Sequence, residues 1–202
     1  MKIINNITED EMISIFLKGE IQSFRFGEKI LKQLEKDEKD RSVIDKPDIL
    51  SKEENEYRKR MFGNYRRYGL NKDLFENFPN DIEWKRVILD KQDLLKIKYI
   101  NYDYWVELSG GSRLVADGAK NVVAGIEIFK QPNNNFWEAA KKIEQGSSFL
   151  EPILVAINIS SDLVVLEGHL RLTAYFMKPE YIPKEFSAIV GISENIVKWD
   201  LY

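Results

Sequence analysis

The chain has 202 residues, 44% hydrophobic and 31% charged, with a net charge of −3. That length and composition suit one globular core or a domain with a helical extension, and the charge leaves no global field to draw the protein onto nucleic acid or an anionic membrane. The absence of cysteine excludes disulfides, thiolate nucleophiles and Cys-type zinc sites, and the single histidine excludes His-x-x-x-His zinc sites.

The start, MKIINNITEDEM, turns acidic where a signal peptide turns apolar. No apolar stretch approaches the roughly 18 residues of a membrane span. The chain therefore reads as cytoplasmic, with no membrane partner. TEDEMISIFLKG carries a capping box, Thr8 with Glu11, and places Met12, Ile15 and Phe16 on one helical face before Gly19. IQSFRFGEKILKQLEKDEKD continues helically, with Ile21, Phe24, Ile30, Leu31 and Leu34 apolar. DRSVIDKPDIL is expected to be a loop, since Pro47 disfavours helix at Lys46. SKEENEYRKRMFGNYRRYG restarts a helix, with a second capping box in Ser51 and Glu54 and an end at Gly69.

From about residue 82 the texture changes. WKRVIL, KIKYINY and YWVEL alternate apolar with polar residues and are rich in β-branched and aromatic side chains, which predicts strands. SGGSRLVADGAKN is a glycine-containing connection, and GIEIF is predicted as a strand. NNNFWEAAKKIEQG reads as a helix capped by Asn134 or Asn135 and stopped by Gly146. PILVAI and LVVL are short buried strands, GHLRLTAYFM is a helix, and FSAIVGI is a last strand. The expected class is α+β: a helical region over residues 1–85 packed on a small mixed sheet with helices over residues 86–202.

The junction LVVLEGHLRLTAYFM carries the chemistry. A helix that follows a strand directly presents unpaired N–H groups and the positive end of its dipole, a ready site for an anion. Gly168 is expected to let a phosphate approach the backbone, Arg171 to donate two parallel hydrogen bonds to it, and His169 to add a donor. Glu167 repels a phosphate unless Mg2+ lies between them or the carboxylate acts as a base.

The stretch from Trp137 to Tyr175 resembles the N-terminal domain of ParB partition proteins and the related sulfiredoxin fold. The features that carry the likeness are EAAKKIEQG, the strand Glu151-Pro152-Ile153-Leu154-Val155, LVVL, and the helix start Gly168-His169-Leu170-Arg171. In that superfamily a Gly-x-x-Arg corner binds nucleotide phosphates. Partition proteins carry Gly-Glu-Arg-Arg and bind CTP; sulfiredoxins carry Gly-Cys-His-Arg and bind ATP. Free-serine kinases carry Asp-Gly-His-His-Arg, the nearest to Glu167-Gly168-His169-Leu170-Arg171. Position 169 is His where sulfiredoxin needs its cysteine, which excludes that reductase chemistry. Position 170 is Leu where relatives carry His or Arg, so one phosphate contact is missing. The resemblance thus implies a ParB/sulfiredoxin-like fold that binds ATP, ADP or CTP with Mg2+ at Gly168, His169 and Arg171, with Glu167 toward the metal. Phosphoryl transfer or nucleotide hydrolysis is the reaction class such a clamp serves, with Glu167 or Glu107 as base and His169 as donor.

Two further stretches are candidates. Gly110, Gly111, Ser112 and Arg113 form a polar, glycine-rich segment that suits either a ligand loop or an ordinary turn. EYRKRMFGNYRRYG interleaves Arg58, Arg60, Arg66 and Arg67 with aromatic residues, as nucleic-acid-binding segments do. The spacing of Tyr57, Met61, Tyr65 and Tyr68 is equally that of a helical core stripe. The alternative function is accordingly a nucleic-acid-binding accessory protein built on the same scaffold.

Overall fold

The computed structural model describes residues 1–147 and 149–202. The chain is of mixed α+β class and forms two compact units, one of residues 1–6 with 81–202 and the other of residues 7–80. The first strand, β1 (Lys2–Asn6), belongs to the sheet unit. The helical unit is therefore an insertion between β1 and its neighbour in the sheet. The expected boundary at residues 85 and 86 falls inside a strand.

The inserted unit holds α1 (Glu9–Glu20), α2 (Gly27–Lys36), α3 (Ser42–Asp45) and α4 (Lys52–Arg66). Helix α1 starts as its sequence predicts: the Thr8 hydroxyl accepts from the Glu11 amide, and the Glu11 carboxylate returns to the Thr8 amide. At α4 only half of the expected box forms. Ser51 caps Glu54, but the Glu54 carboxylate accepts from the Asp48 amide and Arg58. The chain turns at residues 21–26 before α2, leaving Phe24 fully exposed instead of on the apolar face. The unit's core joins Phe16, Phe62, Tyr68 and Phe75, with ring centroids 4.5 to 6.4 Å apart.

In the sheet unit the chain continues through β2 (Glu83–Leu89), α5 (Lys91–Leu94), β3 (Ile97–Lys98), α6 (Asp103–Leu108), α7 (Val115–Val123) and α8 (Asn134–Glu144). It ends with β4 (Ile153–Ala156), β5 (Leu163–Glu167), α9 (His169–Met177) and β6 (Phe186–Ile192). The strand order is β1-β2-β6-β4-β5-β3. Pairs β4–β6 and β3–β5 are parallel and the remaining pairs antiparallel. Leu154, Ala156, Leu163, Val165, Ala188 and Val190 supply the sheet side of a core that also holds Ala119, Val122, Ala140, Ile143 and Leu172. Trp84 packs against Gly191 of β6, where a Cβ would come within 2.6 Å of its ring.

Three expectations are corrected. YWVEL is not a strand but helix α6, because Trp105 and Leu108 lie three residues apart on one inward face. KIKYINY pairs only at Ile97 and Lys98. GIEIF is not a strand but runs into a tight turn closed by Ile128 and Gln131, with Phe129 and Lys130 both in the left-handed region.

Candidate phosphate-binding site

Strand β5 enters α9 through one residue, Gly168, at φ 102° and ψ 16°. The register sets Ile153 opposite Glu167, so Pro152 faces Gly168 across the ladder. A Cβ on Gly168 would lie 3.1 Å from the Pro152 Cβ and 3.3 Å from an Arg171 nitrogen. Its glycine is thus required by the left-handed turn and by close packing on Pro152. The Gly168 α-carbon is therefore packed against Pro152, and the first-turn amides of α9 are the candidate anion-binding groups. Gly168, as the N-cap, has no side chain with which to cap that turn.

Arg171 reaches back one turn to pair with Glu167, both side chains being largely buried. The pair spans the start of the helix. Arg171 is therefore held at the corner, and the carboxylate that neutralises it belongs to the protein. Thr173 donates to the His169 carbonyl at 2.7 Å and shares a 2.6 Å hydrogen bond with the Tyr99 hydroxyl. Burial pushes the Tyr99 phenol well above its usual range, while the Thr173 contact opposes the shift.

The His169 ring stacks on Trp105 with centroids 4.9 Å apart and planes 22° apart. Tyr99 stacks on the same indole at 4.7 Å and 23°. A sandwich would separate Tyr99 and His169 by nearly the span of both stacks; they are 6.2 Å apart and parallel within 8°. Both rings therefore lie over one face of Trp105. Phe136, in the first turn of α8, stands at 79° to the indole with centroids 6.2 Å apart. At the other end of these helices Lys178 pairs with Glu144 at 2.6 Å. Helices α8 and α9 thus run parallel, and both N-termini open beside Trp105. Neither Trp105 nor Tyr99 was singled out by the sequence motif; the one available signal was the Trp105–Leu108 spacing.

The other predicted residues lie elsewhere or have structural partners. Gly110 and Gly111 form an exposed turn at φ 64° and 89° after α6. The Ser112 hydroxyl is 2.9 Å from Asp117, whose carboxyl is held below its usual range by Lys120 and, secondarily, by this hydroxyl. Arg113 donates to the carbonyls of Tyr99, Leu201 and Tyr202 at 2.8 to 3.2 Å, so its guanidinium clamps these two backbone segments together. Glu107 is exposed on the last turn of α6.

In the inserted unit, Arg58 is 1% exposed and donates to Val43, Asp48, Glu54 and Asn55. Arg66 lies 3.3 Å from Glu20 and over the Phe26 ring. Arg67 pairs with Asp73 at 3.7 Å, and Arg60 lies over Tyr57. Of the four arginines of the expected basic stripe, Arg58 does not reach solvent, while Arg60 and Arg67 are exposed.

Compared with known proteins, the chain matches no family model, no curated protein and no solved structure. Among the described residues, no helix is long and apolar enough to cross a membrane.

Proposed function

We propose that the protein binds the phosphates of a nucleotide at the corner between β5 and α9. The observation that carries this reading is the direct passage of β5 into α9 through left-handed Gly168, with Arg171 folded back over the first turn. Phosphate oxygens accept from the amides of that turn, where the helix dipole favours negative charge. Arg171 supplies the charge-assisted bonds once Glu167 releases it. The ParB/sulfiredoxin resemblance of Trp137–Tyr175 points to the same ligand class.

Among the described residues no cluster of three or more His, Cys, Asp or Glu is placed to hold a metal. Mg2+ fits this corner as the nucleotide's own counter-ion, with Glu167 as its one protein ligand. Phosphoryl transfer or hydrolysis is the reaction class open to such a clamp, with Glu167 as the base nearest the phosphates.

Calorimetric titration of ATP, ADP, CTP and GTP with Mg2+ tests the reading. Wild-type protein binds at least one of them, and Arg171→Ala weakens that binding about tenfold or more, as the loss of a charge-assisted hydrogen bond requires. Folded wild-type protein that binds none of the four rejects it.

A further inference from the structure

The aromatic residues around Trp105 extend this reading from the phosphates to the base at the other end of the nucleotide. Tyr99 and His169 cover one face of the indole side by side. Tyr104 stands at 86° to the indole with centroids 4.9 Å apart, and Phe136 at 79°. Both rings stand upright to the indole, which is itself only half-buried. Tyr104 is half-buried as well, and burial raises its phenol above the usual range, so it stays neutral and presents an uncharged ring.

We infer that Trp105 is the floor of a stacking slot for a nucleobase, walled by Tyr104 and Phe136. The inference rests on the phosphate reading above. The direct stack of His169 on the indole fixes the spacing: His169 is the first residue of α9, so the ring surface begins one side chain away from the phosphate-binding amides. A base–phosphate ligand spans such a pair of neighbouring sites; inorganic phosphate fills only one of them. Aromatic stacking is tolerant of base identity because every base has a π-face, and a purine covers more of an indole than a pyrimidine does. The expected preference is therefore ATP and GTP over CTP, with little discrimination between the two purines.

The test compares ATP, CTP and inorganic triphosphate, each with Mg2+, by calorimetry on wild-type protein, Trp105→Phe and Trp105→Ala, with circular dichroism to confirm the fold. Wild-type protein is expected to bind ATP roughly tenfold more tightly than triphosphate, the scale of one base stack. CTP falls between them. In Trp105→Ala the ATP-to-triphosphate ratio collapses toward one, and Trp105→Phe retains most of it. Equal affinity of wild-type protein for ATP and triphosphate overturns the slot while leaving the phosphate site standing, and this arm needs no variant to fold. A ratio that survives in folded Trp105→Ala also overturns it. Failure of wild-type protein to bind any of the three removes the phosphate reading and the slot together.

Discussion

Gly168 carries two constraints that no other residue type meets at once. Its φ of 102° is unfavourable for any side chain, and its α-carbon packs on Pro152. Gly168→Ala is expected to cost about 1–3 kcal/mol, the range for a non-glycine residue held in a sparsely populated conformation. Gly168→Asn recovers part of that cost, because asparagine tolerates the left-handed region but still places a Cβ against Pro152. Urea midpoints of the three proteins measure the order, and an alanine variant as stable as wild type contradicts the assignment. Asp81 gives a second test at this scale. Hydrogen bonds from Ser193 and Asn195, both 2.7 Å, hold its carboxyl below the ordinary carboxylate range. A depressed folded value means the stabilisation is fully present above the unfolded value and is lost as pH falls toward the folded one. The difference in melting temperature between wild type and Asp81→Ala should thus be constant above about pH 5 and shrink as pH falls below the ordinary aspartate value of about 3.9. A pH-independent difference argues against that contribution.

At the scale of elements, what was legible depended on how long each pattern ran. The Thr8 capping box, the apolar runs of β4 and β5 and the amphipathic course of α8 all carry enough consecutive signal to fix type, although α8 takes Asn133 and not Asn134 or Asn135 as its N-cap, with no side-chain cap bond. Asp103–Leu108 does not, since six residues rich in aromatics fit an alternating pattern and a helical one equally. Helix α7 hid behind its two preceding glycines, although Val115, Ala119 and Val122 recur at helical spacing and are buried. Phe129 and Lys130 both adopt positive φ without a glycine to announce the turn. The arginines of α4 show the limit of composition: their number suggested a charged surface, while their contacts make Arg58 a pin between α4 and the segment from Val43 to Asp48. Arg58→Met is expected to cost about 3 kcal/mol, at the low end for breaking a buried pair because water still reaches Glu54. Chemical denaturation followed by tyrosine fluorescence measures it, and a loss below about 1 kcal/mol, typical of exposed pairs, contradicts the pin.

At the scale of the whole molecule, the motif-bearing residues and the fold converge on one end of the sheet unit. The stretch Glu167–Arg171 was visible as a strand-to-helix junction, and the structure places it there. Its aromatic surroundings were not visible, because Tyr99 and Trp105 lie more than sixty residues earlier and reach His169 only through the folding of α6 against α9. Nor does a linear motif reveal that Glu167 and Arg171 pair with each other. The central claim is that the first-turn amides of α9 receive phosphate oxygens. The backbone amide resonances of His169, Leu170 and Arg171, followed by proton–nitrogen correlation spectra during titration with Mg2+ and ATP, test it most directly. These three signals should shift the most and saturate together, with the Arg171 side-chain resonance moving as its pair with Glu167 opens. Shifts confined to other parts of the chain, or none at millimolar nucleotide, contradict the account.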